Sequence, residues 1–271
     1  MMKKFLVVLC LIFISPWSVL ADTTLFTETC TSNPSVALPS STSVSGGTWS
    51  ARITLRGTPS TNINSGTANC KNQADQADIG FGYTISTAPT ASEYYVRASL
   101  TDGGAYGTTE GSGVLMNYID TANYYVCLYL DDPAPATLDV GIFKMSSGGN
   151  STLAVQANVS ATMTSGDTVE CRISYSGATP TITITNVTDA QQYLTATDST
   201  SPLTETKKAG VMCGATPART GDDCNVEVTM GSITLTEVVV SVADTVPSRT
   251  MRLFEGFTIK FISGKIILNQ R

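Results

Sequence analysis

The stretch TVECRISYSGATPTITITNVTD, Thr168–Asp189, decides the fold. Val169, Cys171, Ile173 and Tyr175 alternate with Glu170, Arg172 and Ser174. That period of two puts apolar residues on one face and polar residues on the other, the pattern of a half-buried strand. Ser176-Gly177-Ala178-Thr179-Pro180 interrupts it with turn formers. Ile182 and Ile184 then resume the alternation between threonines, whose β-branched side chains suit a pleated surface. The segment predicts an antiparallel hairpin.

Outward from this hairpin the pattern repeats. About a dozen short strand-like runs lie between Thr48 and Val242, separated by clusters such as TDGGAYGTTEGSG, DDPAPAT and SSGGN. No segment after the first residues has helical periodicity. Many short strands with Gly, Ser, Asn and Pro between them predict an all-β sandwich or jelly roll.

The amino terminus predicts export. Lys3 and Lys4 precede the apolar run Phe5–Ile14, Pro16 ends it, and Val19-Leu20-Ala21 is a small-residue cleavage site. This is the form of a secretory signal peptide, residues 1–21, with a mature chain starting at Asp22. No later run reaches the roughly 18 apolar residues of a membrane helix. The 16 basic residues fall to 14 when Lys3 and Lys4 leave, against 22 acidic ones, a charge of −8. So acidic a chain is a poor partner for nucleic acid, whose phosphates require clustered Lys and Arg.

Of seven cysteines, Cys10 lies in the leader. The remaining Cys30, Cys70, Cys127, Cys171, Cys213 and Cys224 suggest disulfides in an exported chain. Six cysteines allow many pairings. Cys213 with Cys224 would staple the loop GATPARTGDD, and Cys30 with Cys70 would tie the first strand to an early loop. Structural zinc is disfavoured, because the chain has no histidine and no CxxC pair.

The tail differs in composition. After Val246-Pro247-Ser248 come Arg249, Arg252, Lys260, Lys265 and Arg271 against Glu255 alone. FTIKFI and KIILNQ flank Ser263-Gly264 and predict a closing hairpin. We expect a domain over 22–240 and a basic hairpin tail over 241–271. The tail could close the domain's edge or offer strand edges for self-assembly.

In order and pattern the segments resemble the concanavalin A-like lectin/glucanase domains, laminin G-like kind, over about Leu25 to Glu237. The resemblance is carried by LFTETCTSNPSVALPSSTSVSGGTW, EYYVRASL, GVLMNYIDTANYYVCLYL, the hairpin above, TATDSTSPLTETKKAGVMCG and VEVTMGSITLTEV. It implies a jelly-roll β-sandwich of two antiparallel sheets, one of them concave.

That fold hosts glycoside hydrolases, which need two carboxyl groups about 5–5.5 Å apart for retention. The strand motif Glu-x-Asp-x-x-Glu is absent, and a Ser-His-Asp triad is impossible without histidine. We therefore expect no catalysis. Members also hold Ca²⁺ through an early acidic residue and a closing-strand Asp. Here Glu28 and Thr229 occupy those positions, so the family's calcium site is incomplete. Asp131 and Asp132, or Asp222 and Asp223, would be alternative oxygen ligands.

Lectin function is the leading expectation. If Val96, Ala98, Leu100, Val126, Leu128 and Leu130 face the core, alternation turns Tyr95, Arg97, Tyr125 and Tyr129 outward, with Asn117 nearby. Aromatic rings, an amide and a guanidinium together suit a glycan. The expected function is a secreted, non-catalytic module that binds extracellular glycans. The alternative is a structural subunit of a filament, surface layer or virion. A glycoside hydrolase stands behind both.

Overall fold

The computed structural model describes residues 21–60, 62–66, 70–72, 80–102, 110–133, 136–159, 163–214, 228–239, 250–253, 257–262 and 265–270. Residues 1–20 of the expected leader lie outside these, as do Asp222, Asp223 and Cys224. Asp22–Val238 forms one compact unit, and the strands beyond Val239 belong to a second.

The larger unit is two sheets. One contains β1 (Ala21–Glu28), β2 (Val36–Ala37), β3 (Val44–Ser45), β5 (Ile63–Ser65), β6 (Cys70–Asn72), β8 (Glu93–Asp102), β13 (Thr168–Ser176), β14 (Thr179–Asn186), β15 (Gln191–Thr197) and β17 (Val228–Val239). Its order is β15-β14-β13-β8-β17-β6-β5-β2, with β1 pairing β17 and β3. The other holds β4 (Ile53–Arg56), β7 (Gly80–Thr84), β9 (Glu110–Asp120), β10 (Asn123–Pro133), β11 (Ala136–Ser146), β12 (Gly149–Gln156) and β16 (Gly210–Gly214). Its order is β12-β11-β10-β9-β16-β7-β4. The chain passes from one sheet to the other after β3, β4, β6, β7, β8, β12, β15 and β16, which makes the sandwich a jelly roll rather than two separate meanders.

The predicted hairpin is β13 and β14, with Ile173 opposite Ile182 and Ser176 opposite Thr179. β14 is buried at every second residue. Val169, Cys171, Ile173, Ile182 and Ile184 enter the core between the sheets, where they meet Phe81, Tyr83, Val114 and Ile142 from the other sheet. Trp49 is buried there too, edge-on to Phe26 with ring centroids 5.0 Å apart.

β10 is apolar on both sides, as strands covered on both faces are. Tyr125, Cys127 and Tyr129 belong to the core between the sheets. Val126, Leu128 and Leu130 belong to a second buried cluster, with Leu115, Phe143 and Met212. Alternation assigns that cluster to the sheet's outer face. The backbone there is packed closely: a Cβ on Gly113 would lie 2.7 Å from Leu128 Cδ2 and 2.9 Å from the Cys127 carbonyl oxygen.

Disulfides join Cys30 to Cys70 and Cys127 to Cys171. The second bond runs from β10 in one sheet to β13 in the other. Cys213 is also disulfide-bonded. Beyond the large unit the expected hairpin is a three-stranded sheet: β18 (Thr250–Leu253), β19 (Phe257–Ile262) and β20 (Lys265–Gln270). β1, β2, β3, β5, β6, β15 and, in the tail, β18 are strands the periodicity did not predict.

Candidate functional site

The five residues expected to share a ligand face are not together on one. Tyr125 and Tyr129 have no exposure and sit in the core between the sheets. The reason is the Cys127–Cys171 bond, which fixes the odd-numbered side of β10 inward. Alternation shows which residues share a side of a strand. It does not show which side is inner when both are apolar.

Tyr125 and Asn117 have structural roles in the crossover between β15 and β16. The Tyr125 hydroxyl donates to Asp198 Oδ2 at 2.8 Å and accepts from the Leu203 N–H at 3.0 Å. Lys144 Nζ pairs with the same Asp198 oxygen at 2.7 Å and donates to the Thr200 and Ser201 carbonyls. Lys144 and Asp198 are both buried. Asn117, buried with φ 49°, donates from Nδ2 to the Thr204 carbonyl. Its Oδ1 accepts from the Thr206 and Lys207 N–H groups. These side chains hold the crossover against the sandwich.

Asp131 and Asp132 lie in β10, opposite Leu138 and Thr137 of β11. Adjacent strand positions belong to opposite faces. Among the described residues, the one group of acidic and thiol atoms close enough to share an ion is Glu28, Cys30 and Cys70. Both sulfurs are in the disulfide. The Glu28 carboxylate accepts from the Cys30 N–H, the Ser43 and Ser65 hydroxyls and Trp49 Nε1. Its lone pairs serve the fold, so this group does not suit a metal. Glu28, matched above to a calcium position, is a hydrogen-bond hub.

Tyr95 and Arg97 do lie on a polar face, the outer side of the ten-stranded sheet. Register aligns its residues in three rows across the strands. One row is Thr195, Thr183, Arg172, Tyr95 and Thr236. A second is Gln192, Thr185, Glu170, Arg97 and Thr234. The third is Thr197, Thr181, Ser174 and Glu93. Burial falls along the rows: Tyr95 is covered, whereas Gln192, Thr195 and Thr197 at the β15 edge are exposed.

At the centre the charges neutralise one another. Glu170 Oε2 accepts from Arg97 Nε at 2.8 Å, and Glu170 Oε1 from Arg172 Nε at 2.7 Å. Arg172 Nη1 reaches Glu93 Oε1 at 2.6 Å. Burial favours loss of the Arg172 proton, but the Glu170 and Glu93 carboxylates outweigh it and hold the guanidinium charged beyond its ordinary range. The guanidinium carbons of Arg97 and Arg172 stand 4.6 and 4.7 Å from the centroid of the Tyr95 ring, a cation–π arrangement. The Tyr95 hydroxyl donates to Asp22 Oδ2 at 2.7 Å. Burial and that carboxylate raise its pKa, so Tyr95 stays a neutral donor. Its ring is occupied by the two arginines and is no platform for a sugar.

What remains open to solvent is hydroxyl and amide chemistry on β13, β14 and β15. Thr181 and Thr197 share a hydrogen bond of 3.0 Å, and Thr183 and Thr195 one of 3.3 Å. Each hydroxyl keeps further donor or acceptor capacity. These threonines are not part of the ligand face expected from the sequence. The signal that marks them is the alternation Thr181, Thr183, Thr185, written in the hairpin itself.

No family model matches the chain, and no curated protein matches it. Solved structures do. The CBM2 module of the evolved Dit of Lactobacillus casei BL23 phage J-1 is 10% identical, with a TM-score of 0.51 over 82% of this chain and 98% of that one. The exoplasmic/lumenal domain of VIP36, in its Ca²⁺/Man3GlcNAc-bound form, is 10% identical, with a TM-score of 0.45 over 76% and 89%. A legume lectin-like domain from Entamoeba histolytica is 9% identical, with a TM-score of 0.44 over 70% and 90%. At such identities the likeness concerns the fold alone. That fold is the two-sheet jelly-roll β-sandwich that the segment order predicts.

Proposed function

We propose that this chain is a secreted, non-catalytic carbohydrate-binding module whose ligand lies on the outer face of the ten-stranded sheet. One observation carries the reading: rows of partly exposed threonine, serine and glutamine side chains lie in register across β13, β14 and β15. Hydroxyls that both donate and accept match the hydroxyls of a sugar. The opposite sheet lends no such face, because its outer side is the buried apolar cluster around Leu128 and Phe143. The nearest carboxylates, Glu93 and Glu170, are engaged by arginines and act as ion-pair partners rather than an acid and nucleophile pair. Disulfides accord with an oxidising compartment, and among the described residues no helix is long and apolar enough to cross a membrane.

The test is a polysaccharide and glycan array, with and without calcium, on Asp22–Arg271 and on its Thr183→Val, Thr195→Val double variant. Binding lost in the variant, with its unfolding curve unchanged, supports this face. Equal binding by both proteins refutes it.

A second reading rests on the C-terminal strands. Met251, Ile259 and Leu268 are in register, as are Leu253 with Phe257 and Phe261 with Ile266. The order β18-β19-β20 leaves two edge strands in this sheet, and an edge strand is a template for pairing with another chain. As a structural subunit, the chain would pair them with a second copy. Sedimentation of the full mature chain against one ending at Val239 tests this: only the longer protein would associate.

A further inference from the structure

Resting on the carbohydrate reading, we infer that this face takes an uncharged, polymeric glycan, bound along its interior, and rejects acidic glycans and free sugar ends. The charge arrangement excludes acidic ligands. Arginines are the usual anchors for carboxylate and sulfate groups. Here Arg97 and Arg172 are already held by Glu170 and Glu93. With Asp22 on the Tyr95 hydroxyl, the cluster has two cations and three carboxylates. An acidic glycan would have to displace a carboxylate from its guanidinium and then face that carboxylate as a like charge. The chain as a whole adds to the repulsion, since it is acidic at neutral pH.

The shape excludes a sugar end. A monosaccharide specificity site encloses its ligand in a concave pocket. Where the rows are open, on β13, β14 and β15, they lie across a sheet face and carry mostly short side chains, Ser174 and the threonines. Neighbouring strands stand about 4.8 Å apart, so the three open strands β13, β14 and β15 offer a track of roughly 10 Å. Each hydroxyl contact is weak in water because it replaces one with solvent. Useful affinity must therefore come from many such contacts at once, which only a chain of sugars can make.

The experiment uses the full mature chain in affinity gel electrophoresis. Neutral probes are dextran, mannan, xylan, galactomannan and a mixed-linkage β-glucan. Anionic probes are alginate, polygalacturonate, chondroitin sulfate and the carboxymethyl derivatives of the neutral set. Retardation by a neutral polymer is expected. Its carboxymethyl form should bind at least about tenfold more weakly at low salt, with the gap narrowing as salt screens the charge. The constituent monosaccharide should not release the protein. Tighter binding of an anionic polymer, or release by the monosaccharide, overturns this inference and leaves the carbohydrate reading standing. Folded protein that no polymer retards, neutral or anionic, overturns both. The Thr183→Val, Thr195→Val variant should lose the neutral-polymer shift without a change in unfolding midpoint. If it keeps the shift, the binding track is elsewhere and the inference falls.

Discussion

Cys127 and Cys171 join the two sheets through the middle of the sandwich, 44 positions apart in sequence and 6.2 Å apart between their Cα atoms. The bond decides which side of β10 is inner, and so removes Tyr125 and Tyr129 from any ligand face. Cross-linking a loop of that length restricts the unfolded chain by about 4 kcal/mol on the chain-entropy model. The Cys127→Ala, Cys171→Ala double variant should lose stability of that order in urea denaturation. It should still bind whatever the intact protein binds at temperatures where it remains folded, because both cysteines belong to the core between the sheets, on the opposite face of β13 and β14 from the exposed threonines.

Two buried tyrosines on the same side of β10 make a matched test. The Tyr125 hydroxyl has partners in Asp198 and the Leu203 N–H, while the Tyr129 hydroxyl has none among the described residues. Tyr125→Phe leaves a buried carboxylate and an N–H short of a partner and should cost about 1–3 kcal/mol. Tyr129→Phe removes a buried polar atom that has no bond to lose, and should be neutral or stabilising. Neither change should alter glycan binding. Loss of binding in folded Tyr125→Phe would restore the face expected from the sequence.

The buried pair of Lys144 and Asp198 should be costly to break from one side. Lys144→Met leaves a buried carboxylate without its cation, and should destabilise the fold by about 3–5 kcal/mol. Hydrogen exchange should show where the loss falls. Protection of the crossover, 198–209, should drop first, because the Lys144 ammonium also ties down the Thr200 and Ser201 carbonyls.

Acid should weaken the fold partly through Glu237. Burial pushes its carboxyl upward, but the Thr90 and Ala91 N–H groups, the Thr90 hydroxyl and the Lys207 charge outweigh this and hold it below its ordinary value of 4.5. A carboxyl depressed in the folded state contributes stability that is complete above its unfolded value. That contribution is lost as pH falls through the lower folded value. Chemical denaturation at stepped pH should therefore show a steeper acid limb for the native protein than for Glu237→Gln. The two should differ most above pH 4.5. Parallel limbs would remove Glu237 from the acid response.

The sequence by itself determined the all-β class, the hairpin of β13 and β14, and which residues share a side of each strand. These follow from local rules: an extended chain alternates its side chains, and turn formers end it. It also contained the candidate site, since Glu170, Arg172 and the threonines of β14 are the polar half of the opening hairpin. Only the tertiary structure decided which side of an apolar strand is inner. β10 reads alike on both sides, and its orientation is set by a bond to a residue in the other sheet. Only the tertiary structure brought Asp22 to Tyr95, and Arg97 and Arg172 together over its ring. Those contacts depend on strands distant in sequence lying side by side, and no local periodicity encodes that register.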